Sequence, residues 1–366
     1  MNSESVQREW NEADARRGRD LCRDFLACPA AKRFVMGRNV YAAAVAAKLD
    51  VAGFVDDFTS DQDYEGRPVV RTDDLPADAM VLAVSGGRPL TVRKLLDERG
   101  IRNIDYFALH RWGGLDLPEA VFNEGFQQEF DENRDRIDWL FDRLADEESR
   151  EILRKLMGFR YSYDLHCLDG FAERQTEQYF EPFFKLSVGK PVFVDVGGFD
   201  GYTSEEFIRL APDYHAVYIF EPEASNRERC KERLSRFSNI HLLPYGAGNE
   251  ETTLRFSSDG SASSIRDDGE IEIQIRRIDD LVNEPPTFIK MDIEGAELMA
   301  LEGARGLIAE HRPALAIAVY HRPSDIWTIP AKVLEINEDY EIFLRHYTES
   351  IYETVMYFVP PAYKAG

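Results

Sequence analysis

Short apolar runs bounded by turn-forming residues recur along the chain and alternate with stretches of helical periodicity. Arg33 to Met36 (RFVM) predicts a strand, Gly37-Arg38-Asn39 a turn, and Tyr41 to Leu49 an alanine-rich helix. Strands follow at Val51 to Val55, over 80–84 and at Asn103 to Phe107, with a helix over 89–99. Strands alternating with helices imply a parallel sheet, so 31–112 is expected as a small Rossmann-like domain preceded by a helical, solvated segment over 1–30. From 113 to 187 the chain is rich in Glu, Asp and Arg. Apolar residues at helical spacing (Ile137, Leu140, Phe141, Leu144, then Ile152, Leu153, Leu156) make it a helical connector.

The alternation returns more sharply over 188–366, expected as a second α/β domain. Strands are predicted at 192–196 (VFVDV), 216–221, 240–243, 287–291 and 314–320. Helices are predicted at Ser204 to Leu210, 224–234, 296–309 and 327–337. The final strands, Tyr340 to Tyr347 and Thr354 to Val359, lie too close together for a crossover helix and must pair antiparallel. Strong alternation over 252–277 predicts an inserted β-hairpin turning at Asp259-Gly260 or Asp268-Gly269.

Charge narrows the function. The 366 residues hold 44 Lys+Arg against 67 Asp+Glu, a formal net charge of −23. That excludes a generic nucleic-acid binder and argues against an anionic membrane surface, both of which rest on Lys and Arg; a local basic pocket stays open. No apolar run approaches the roughly 18 residues that span a bilayer, and the N-terminus is too polar for a signal peptide. Cys22, Cys28, Cys167 and Cys230 form no CxxC pair and are expected as free thiols in a reducing cytoplasm. These features predict a cytoplasmic protein of at least two domains, and leave its oligomeric state open.

Three constellations carry chemistry. Val194-Asp195-Val196-Gly197-Gly198-Phe199-Asp200-Gly201 sits where a strand ends and a helix begins, the place where open α/β sheets bind ligands. Glu221 ends the next strand, where a carboxylate can accept both hydroxyls of an adenosine ribose. A dinucleotide fingerprint has no acid before its first glycine, whereas this turn carries Asp195 and Asp200. Negative charge disfavours a pyrophosphate and suits the ammonium and sulfonium centres of S-adenosylmethionine. The second constellation, Lys290-Met291-Asp292-Ile293-Glu294-Gly295-Ala296-Glu297, gathers ionisable groups where a methyl donor would point. Lys290 and Asp292 could equally be an ion pair, and Glu297 an acid favouring a helix N-terminus. The third is a pair of strand-end histidines, His321 and His346, expected to face the same crevice as Asp292, although strand-end histidines are often only hydrogen-bonded loop residues.

The chain here resembles the FkbM family of S-adenosylmethionine-dependent methyltransferases. The resemblance covers about 175–360 and rests on QYF (178–180), VDVGGFDGYTSEEF (194–207), YIFEPE (218–223), FIKMDIEGAE (288–297), AIAVYH (316–321) with Asp325, Ile326 and Trp327, LRHY (344–347) and ETVMY (353–357). It implies a doubly wound, seven-stranded class I methyltransferase sheet ending in an antiparallel hairpin. Phe199 stands where many class I relatives carry a glycine. Residues 37–42 occupy a nucleotide-loop position with one glycine. VAGFVDD (51–57), Gly66-Arg67-Pro68-Val69 and Asp74-Leu75-Pro76 look like the small domains attached to sugar-modifying enzymes; Gly37 and Asp56 would be the ligand contacts of an active domain, but a degenerate docking domain is the preferred expectation.

The resulting expectation is an O-methyltransferase acting on a hydroxyl of a sugar, glycan or related secondary metabolite. S-adenosylmethionine would lie across Asp195, Gly197, Gly198, Asp200, Gly201 and Glu221. His321, Asp292 and Lys290 would be catalytic, with His321 or Asp292 taking the proton. Glu294, Glu297, His346 and Tyr347 would hold the acceptor. A divalent metal on Asp292, Glu294 and His321 is conceivable but not expected, since no recognised ligand spacing supports it. Two rivals remain: a nicotinamide-dependent sugar-modifying oxidoreductase, against which the missing glycines of the first domain count, and a non-catalytic S-adenosylmethionine-binding scaffold.

Overall fold

A computed structural model describes residues 12–186, 188–257, 264–265 and 271–365. Two compact units divide the chain: Met1–Asp135 with Glu151–Glu173 and Tyr347–Tyr352, and Arg136–Arg150 with Arg174–His346 and Glu353–Gly366. The stretch 113–187, expected as one connector, is thus shared between the two.

The first unit contains a six-stranded sheet. Its strands are β1 (Arg33–Met36), β2 (Gly53–Val55), β3 (Asp63–Tyr64), β4 (Arg67–Val70), β5 (Met80–Ala83) and β6 (Arg102–Asp105), in the order β3-β4-β2-β1-β5-β6. All neighbours are parallel except β3 and β4. That small hairpin turns through Glu65 and Gly66, both at positive φ, the geometry a two-residue turn demands. Phe34, Val55, Val81 and Leu96 form part of its core. Asn39 caps the helix Val40–Lys48, its side chain accepting from the Tyr41 and Ala42 amides at 3.1 and 3.0 Å. The strand expected to run to Phe107 stops at Asp105, whose carboxylate accepts from the Ala108 amide at 2.9 Å and opens the helix Tyr106–Trp112.

The second unit is built on β7 (Val192–Val196), β8 (Ala216–Phe220), β9 (Ile240–Leu243), β10 (Gly246–Ala247), β11 (Thr252–Ser257), β12 (Ser264–Ile265), β13 (Ile271–Arg276), β14 (Phe288–Met291), β15 (Ala314–Ala318), β16 (Glu341–His346) and β17 (Thr354–Val359). Seven of these make one sheet in the order β16-β17-β15-β14-β7-β8-β9, the doubly wound class I methyltransferase arrangement. The central strands are parallel, while β17 runs antiparallel to both β15 and β16. The terminal hairpin is therefore as expected. β11 and β13 also pair antiparallel, from Thr252 opposite Ile275 to Phe256 opposite Ile271. The two turn sites expected for that insertion lie outside the described residues.

The helix expected over 296–309 is two helices, Glu297–Gly303 and Arg305–His311. Gly303 presses on the Gly248 carbonyl so closely that a Cβ would stand 1.9 Å from that oxygen. Arg345 is buried and joins the end of β16 to Asp146 at 2.6 Å and to the Ser149 hydroxyl at 2.9 Å, which holds Arg136–Arg150 in this unit. All four cysteines are free thiols. Among the described residues no helix is long and apolar enough to cross a membrane.

The sheet centre depends on aromatic packing. Phe193 on β7 is fully buried, with ring centroids 4.6 Å from Phe207 and 5.2 Å from Phe288, both stacked. Phe193→Ala is expected to cost about 3–5 kcal/mol, while Phe193→Leu, which leaves a smaller void, costs less than half of that. Urea unfolding of both variants checks this, and equal midpoints would contradict it.

Candidate active site

The site grows from the end of β7. Asp195 is fully buried, accepts from the Ser204 hydroxyl at 2.8 Å and lies 3.2 Å from Lys290 Nζ on β14. These two residues are register partners on adjacent strands. The Lys290 ammonium donates onward to the Gly197 carbonyl at 2.6 Å. Burial opposes its charge, but Asp195, and then Asp292, raise its pKa above the ordinary lysine value. The Gly197 and Gly198 amides both donate to the Phe220 carbonyl. Gly197 has φ +85°, and a Cβ there would stand 2.0 Å from the Asp292 carbonyl oxygen, so no other residue fits.

Glu221 closes the far side of this turn. One carboxylate oxygen accepts from the Phe199 amide and the other from the Glu223 amide, each at 2.8 Å. Burial raises its pKa against these hydrogen bonds. Asp200 accepts from the Tyr202 amide at 3.0 Å and pairs with Arg233 at 2.7 Å.

A cavity of about 890 Å³ runs from this turn to the β14 end. It is lined by Gly197, Gly198, Asp200 and Glu221 of the expected donor set, by Lys290 and Asp292, and by Glu294. Asp195 and Gly201 do not line it. Asp195 is sealed beneath the turn by Lys290, and Gly201 packs against Cys230 and Leu234. The acid of the sharpest motif therefore anchors the loop rather than facing a ligand. Lys290 lines the cavity and is bound to Asp195 and a loop carbonyl, so the alternative of an ion pair with Asp292 is corrected to one with Asp195.

His321 requires the largest correction. Its side chain is 1% exposed and lies outside the cavity lining. Nδ1 is 2.9 Å from Glu297 Oε1, and Nε2 is 3.3 Å from Asp292 Oδ1 and 3.8 Å from Glu294 Oε2. Burial lowers its pKa, but Glu297, Asp292 and Glu294 outweigh burial and raise it to about 9. A pKa raised that far, on a ring set behind the cavity wall, suits it poorly to receive a substrate proton. Glu297 is equally buried; besides His321 it accepts from the Ile293 amide at 2.9 Å, and it does not reach the cavity. His346, at the end of β16, bonds Thr354 Oγ1 at 2.9 Å, and Tyr347 is fully buried; neither lines the cavity. Both point into packing instead of an acceptor space.

Other residues take the places these leave. Tyr179 lines the cavity and donates its hydroxyl to Asp292 Oδ2 at 2.6 Å. Burial, then the Asp292 charge, holds its pKa well above the ordinary tyrosine value, so it stays a donor. Glu353 lines the cavity and accepts from Gln178 Nε2 at 2.6 Å. Burial and then the Asp292 charge push Glu353 to about 7. Glu294 is also pushed to about 7 by burial, with His321 opposing and Asp292 and Glu297 adding. Tyr179 and Glu353 lie within QYF and ETVMY, segments that carried the resemblance without being given a role.

Four of the nine non-glycine residues at positive φ among the described residues (Tyr179, Phe199, Glu294 and Glu353) line this one cavity. Such backbone costs of order 1 kcal/mol or more each and concentrates where geometry is functional. In the first unit, the expected ligand contact Asp56 is taken by Arg38 at 2.8 Å, and Arg38 also reaches Asp61 at 2.6 Å.

The His321 assignment is open to direct measurement. A pKa raised above the ordinary 6.5 contributes stability that is fully present below about pH 6.5 and is lost as pH rises through about 9. The stability advantage of wild type over His321→Gln should therefore shrink across that window, and the imidazole signals should titrate near 9 by NMR. An advantage independent of pH would show the ring to be neutral.

Residues 195–349 match the family model described as the methyltransferase FkbM domain. Among solved structures, methyltransferase FkbM from Methylobacillus flagellatus KT is 26% identical over 93% of this chain and 92% of its own, with a TM-score of 0.74. More distant likenesses include a putative methyltransferase from Streptococcus mutans in complex with SAH (17% identity, 46% of this chain and 88% of that one, TM-score 0.30). Another is Aeropyrum pernix fibrillarin with natively bound S-adenosyl-L-methionine (14% identity, 50% and 71%, TM-score 0.32). No curated protein matches the chain. The glycine turn and the β14 acids thus fall in the stretch that matches the methyltransferase FkbM domain, within a chain that resembles a solved FkbM methyltransferase along nearly its whole length: this protein is a methyltransferase.

Proposed function

We propose that this enzyme transfers the methyl group of S-adenosylmethionine to a hydroxyl of a sugar, glycan or related secondary metabolite. The observation that carries the reading is the single cavity that joins the glycine turn and Glu221 to Asp292, Glu294 and Glu353. The donor would lie over Gly197 and Gly198, with its ribose on Glu221 and its sulfonium directed at the β14 end. Glu221 Oε1 takes the Glu223 amide and, at 3.5 Å, Asn226 Nδ2, whereas Oε2 takes the Phe199 amide and keeps capacity for a second donor.

In the reaction an acceptor oxygen lone pair forms the new O–C bond while the C–S bond breaks, its electrons remaining on sulfur as a neutral thioether. The hydroxyl proton must leave, and Glu353 is the group we assign to receive it. Its pKa near 7 suits proton transfer near neutrality, and Gln178 fixes the carboxylate. Tyr179 and His321 hold Asp292 from two sides, so it keeps its place beside the reacting atoms. Holding donor and acceptor in line supplies much of the acceleration, up to about 7–11 kcal/mol for well-oriented reactions.

Two measurements test this. Glu221→Ala should weaken S-adenosylmethionine binding about 10- to 100-fold by calorimetry, the loss expected for charge-assisted hydrogen bonds. Unchanged affinity would remove Glu221 from the donor site. Glu353→Gln should lower kcat by roughly 10²–10⁴-fold with donor affinity intact. Because the carboxylate works only when deprotonated, wild-type kcat should rise as pH passes about 7 and then level off. That rising limb should vanish in the variant, and a limb that persists there would overturn the assignment.

A further inference from the structure

The loop that joins β16 to β17 is buried. Ser350 and Ile351 are 1% and 2% exposed, Thr348 and Glu349 5% and 8%. Loops ordinarily run over the surface, because a buried one carries polar groups that must find partners. The chain leaves the second unit after His346 and re-enters it at Glu353, and Tyr347–Tyr352 belongs to the first unit. The base of the loop is closed by His346 and Thr354, register partners whose side chains bond at 2.9 Å.

Within the first unit, Glu349 does what a bound anion would do. The order β3-β4-β2-β1-β5-β6 changes direction between β1 and β5, the place where such sheets take ligands. After β5, Ser85-Gly86-Gly87 leads into the helix Pro89–Glu98, whose N-cap residue Arg88 supplies no side-chain cap. The Glu349 carboxylate takes that role. One oxygen accepts from the Thr91 amide at 2.7 Å and the other from the Thr91 hydroxyl. A carboxylate there satisfies an amide that the helix leaves unpaired and complements the helix dipole, as a phosphate would. Tyr352 is fixed as well. Its ring stands edge-on to Phe122 with centroids 6.1 Å apart, and its hydroxyl comes within 3.6 Å of where a Cβ on Gly86 would stand. The Thr348 hydroxyl donates to the Tyr352 carbonyl at 2.7 Å, tying the residue before Glu349 to the residue before Glu353.

We propose that the first unit is a receptor for the 347–352 loop, and that Glu349, seated at the N-terminus of Pro89–Glu98, is a positioning residue for Glu353. Glu353 is the single residue between that loop and the start of β17 at Thr354, and it sits at φ +59°. A half-buried carboxylate on left-handed backbone keeps its place only if the chain is held on both sides of it. A pyrophosphate at this helix would have to displace Glu349, so the ligand position of the first sheet is filled by the chain itself. The positioning role rests on the reading of Glu353 as proton acceptor; the docking of the loop does not.

The test compares Glu349→Ala, Glu349→Gln and Thr91→Ala in the full chain. Amide hydrogen exchange over 347–353 should quicken about tenfold or more in Glu349→Ala and less in Thr91→Ala, which loses only the hydroxyl. Glu349→Gln keeps an acceptor for the Thr91 amide and should stay near wild type. In Glu349→Ala, kcat should fall about tenfold or more, with S-adenosylmethionine affinity changed less than about twofold. The pH profile separates positioning from general loosening. Burial and then Asp292 raise Glu353, Gln178, His321 and Lys290 oppose them, and Glu294, Tyr179 and Tyr320 also face it. Released toward water, Glu353 returns toward the ordinary 4.5, so the rising limb of kcat should move to lower pH in Glu349→Ala and back toward 7 in Glu349→Gln. Unchanged exchange in Glu349→Ala overturns the receptor. Faster exchange with the limb unmoved overturns the positioning role. Thr91 is exposed, so Thr91→Ala gives the same readings should Glu349→Ala fail to fold. If Glu353→Gln keeps the limb, the proton-acceptor reading falls with the positioning role, and the exchange result alone decides the receptor.

Discussion

The buried pair of Lys290 and Asp195 is the constraint on which the site depends. Two opposite charges occupy neighbouring register positions on the two central strands, both nearly without solvent. Withdrawing each from water costs several kcal/mol, so the pair persists only because its remaining valences are filled. The Ser204 hydroxyl completes Asp195, and the Gly197 carbonyl completes Lys290. One consequence is mechanical: the turn after β7 is tied to β14 before any ligand arrives. The amides of that turn and the Asp292 loop thereby share one rigid reference, and organisation in advance is what makes binding and positioning effective.

The same rigidity accommodates unfavourable backbone. Phe199, at φ +48°, is held because its amide donates to Glu221, and Tyr179, at φ +73°, because its amide donates to the Tyr357 hydroxyl. Glu294, at φ +56°, precedes Gly295, whose own φ of +94° and closeness to Arg322 admit no side chain. In each case a hydrogen bond or a glycine neighbour offsets strain that an isolated loop would relax. The cavity therefore has fixed walls on both its glycine-turn and its β14 sides.

The sequence revealed the frame better than the contacts. β1, β7, β9 and β17 have the bounds expected from their apolar runs, because a fully buried strand between turn residues leaves an unambiguous pattern. The two-residue strand β3 was too short to leave one, and β4 opens on Arg67-Pro68, which breaks its apolar run. Helix 296–309 read as continuous because Gly303 is tolerated in a helical pattern; its break follows from the Gly248 backbone against it, a contact 55 residues away in the chain. That the glycine turn and Glu221 would share one crevice was legible from their strand-end positions. Lys290 was offered Asp292 as partner by spacing, but Asp292 lies past the strand end, whereas Asp195 stands opposite Lys290 across the sheet. The end of β15 told where His321 would be, not that three carboxylates would enclose it. The Tyr179–Asp292 bond joins residues 113 apart, and no local pattern records such a pairing.

The distribution of charge also bears on where catalysis arises in the proposed reaction. A sulfonium donor carries a positive charge that disperses in the transition state and is gone from the thioether product. A cavity lined by Asp200, Glu221, Asp292, Glu294 and Glu353 attracts that charge most strongly before reaction, so its field favours the ground state of the donor over its transition state. Acids on the donor side thus give binding and selectivity rather than rate. Rate has to come from the opposite partner, where an oxygen gains nucleophilicity as its proton departs. Placing carboxyls of pKa near 7 there meets that need, since a group that is half ionised near neutrality can accept a proton without holding the acceptor in place as a permanent charge. The His321 ring, locked behind Asp292, then has a consistent role in the proposed reaction: it helps to hold that carboxylate in place while its neighbours exchange protons.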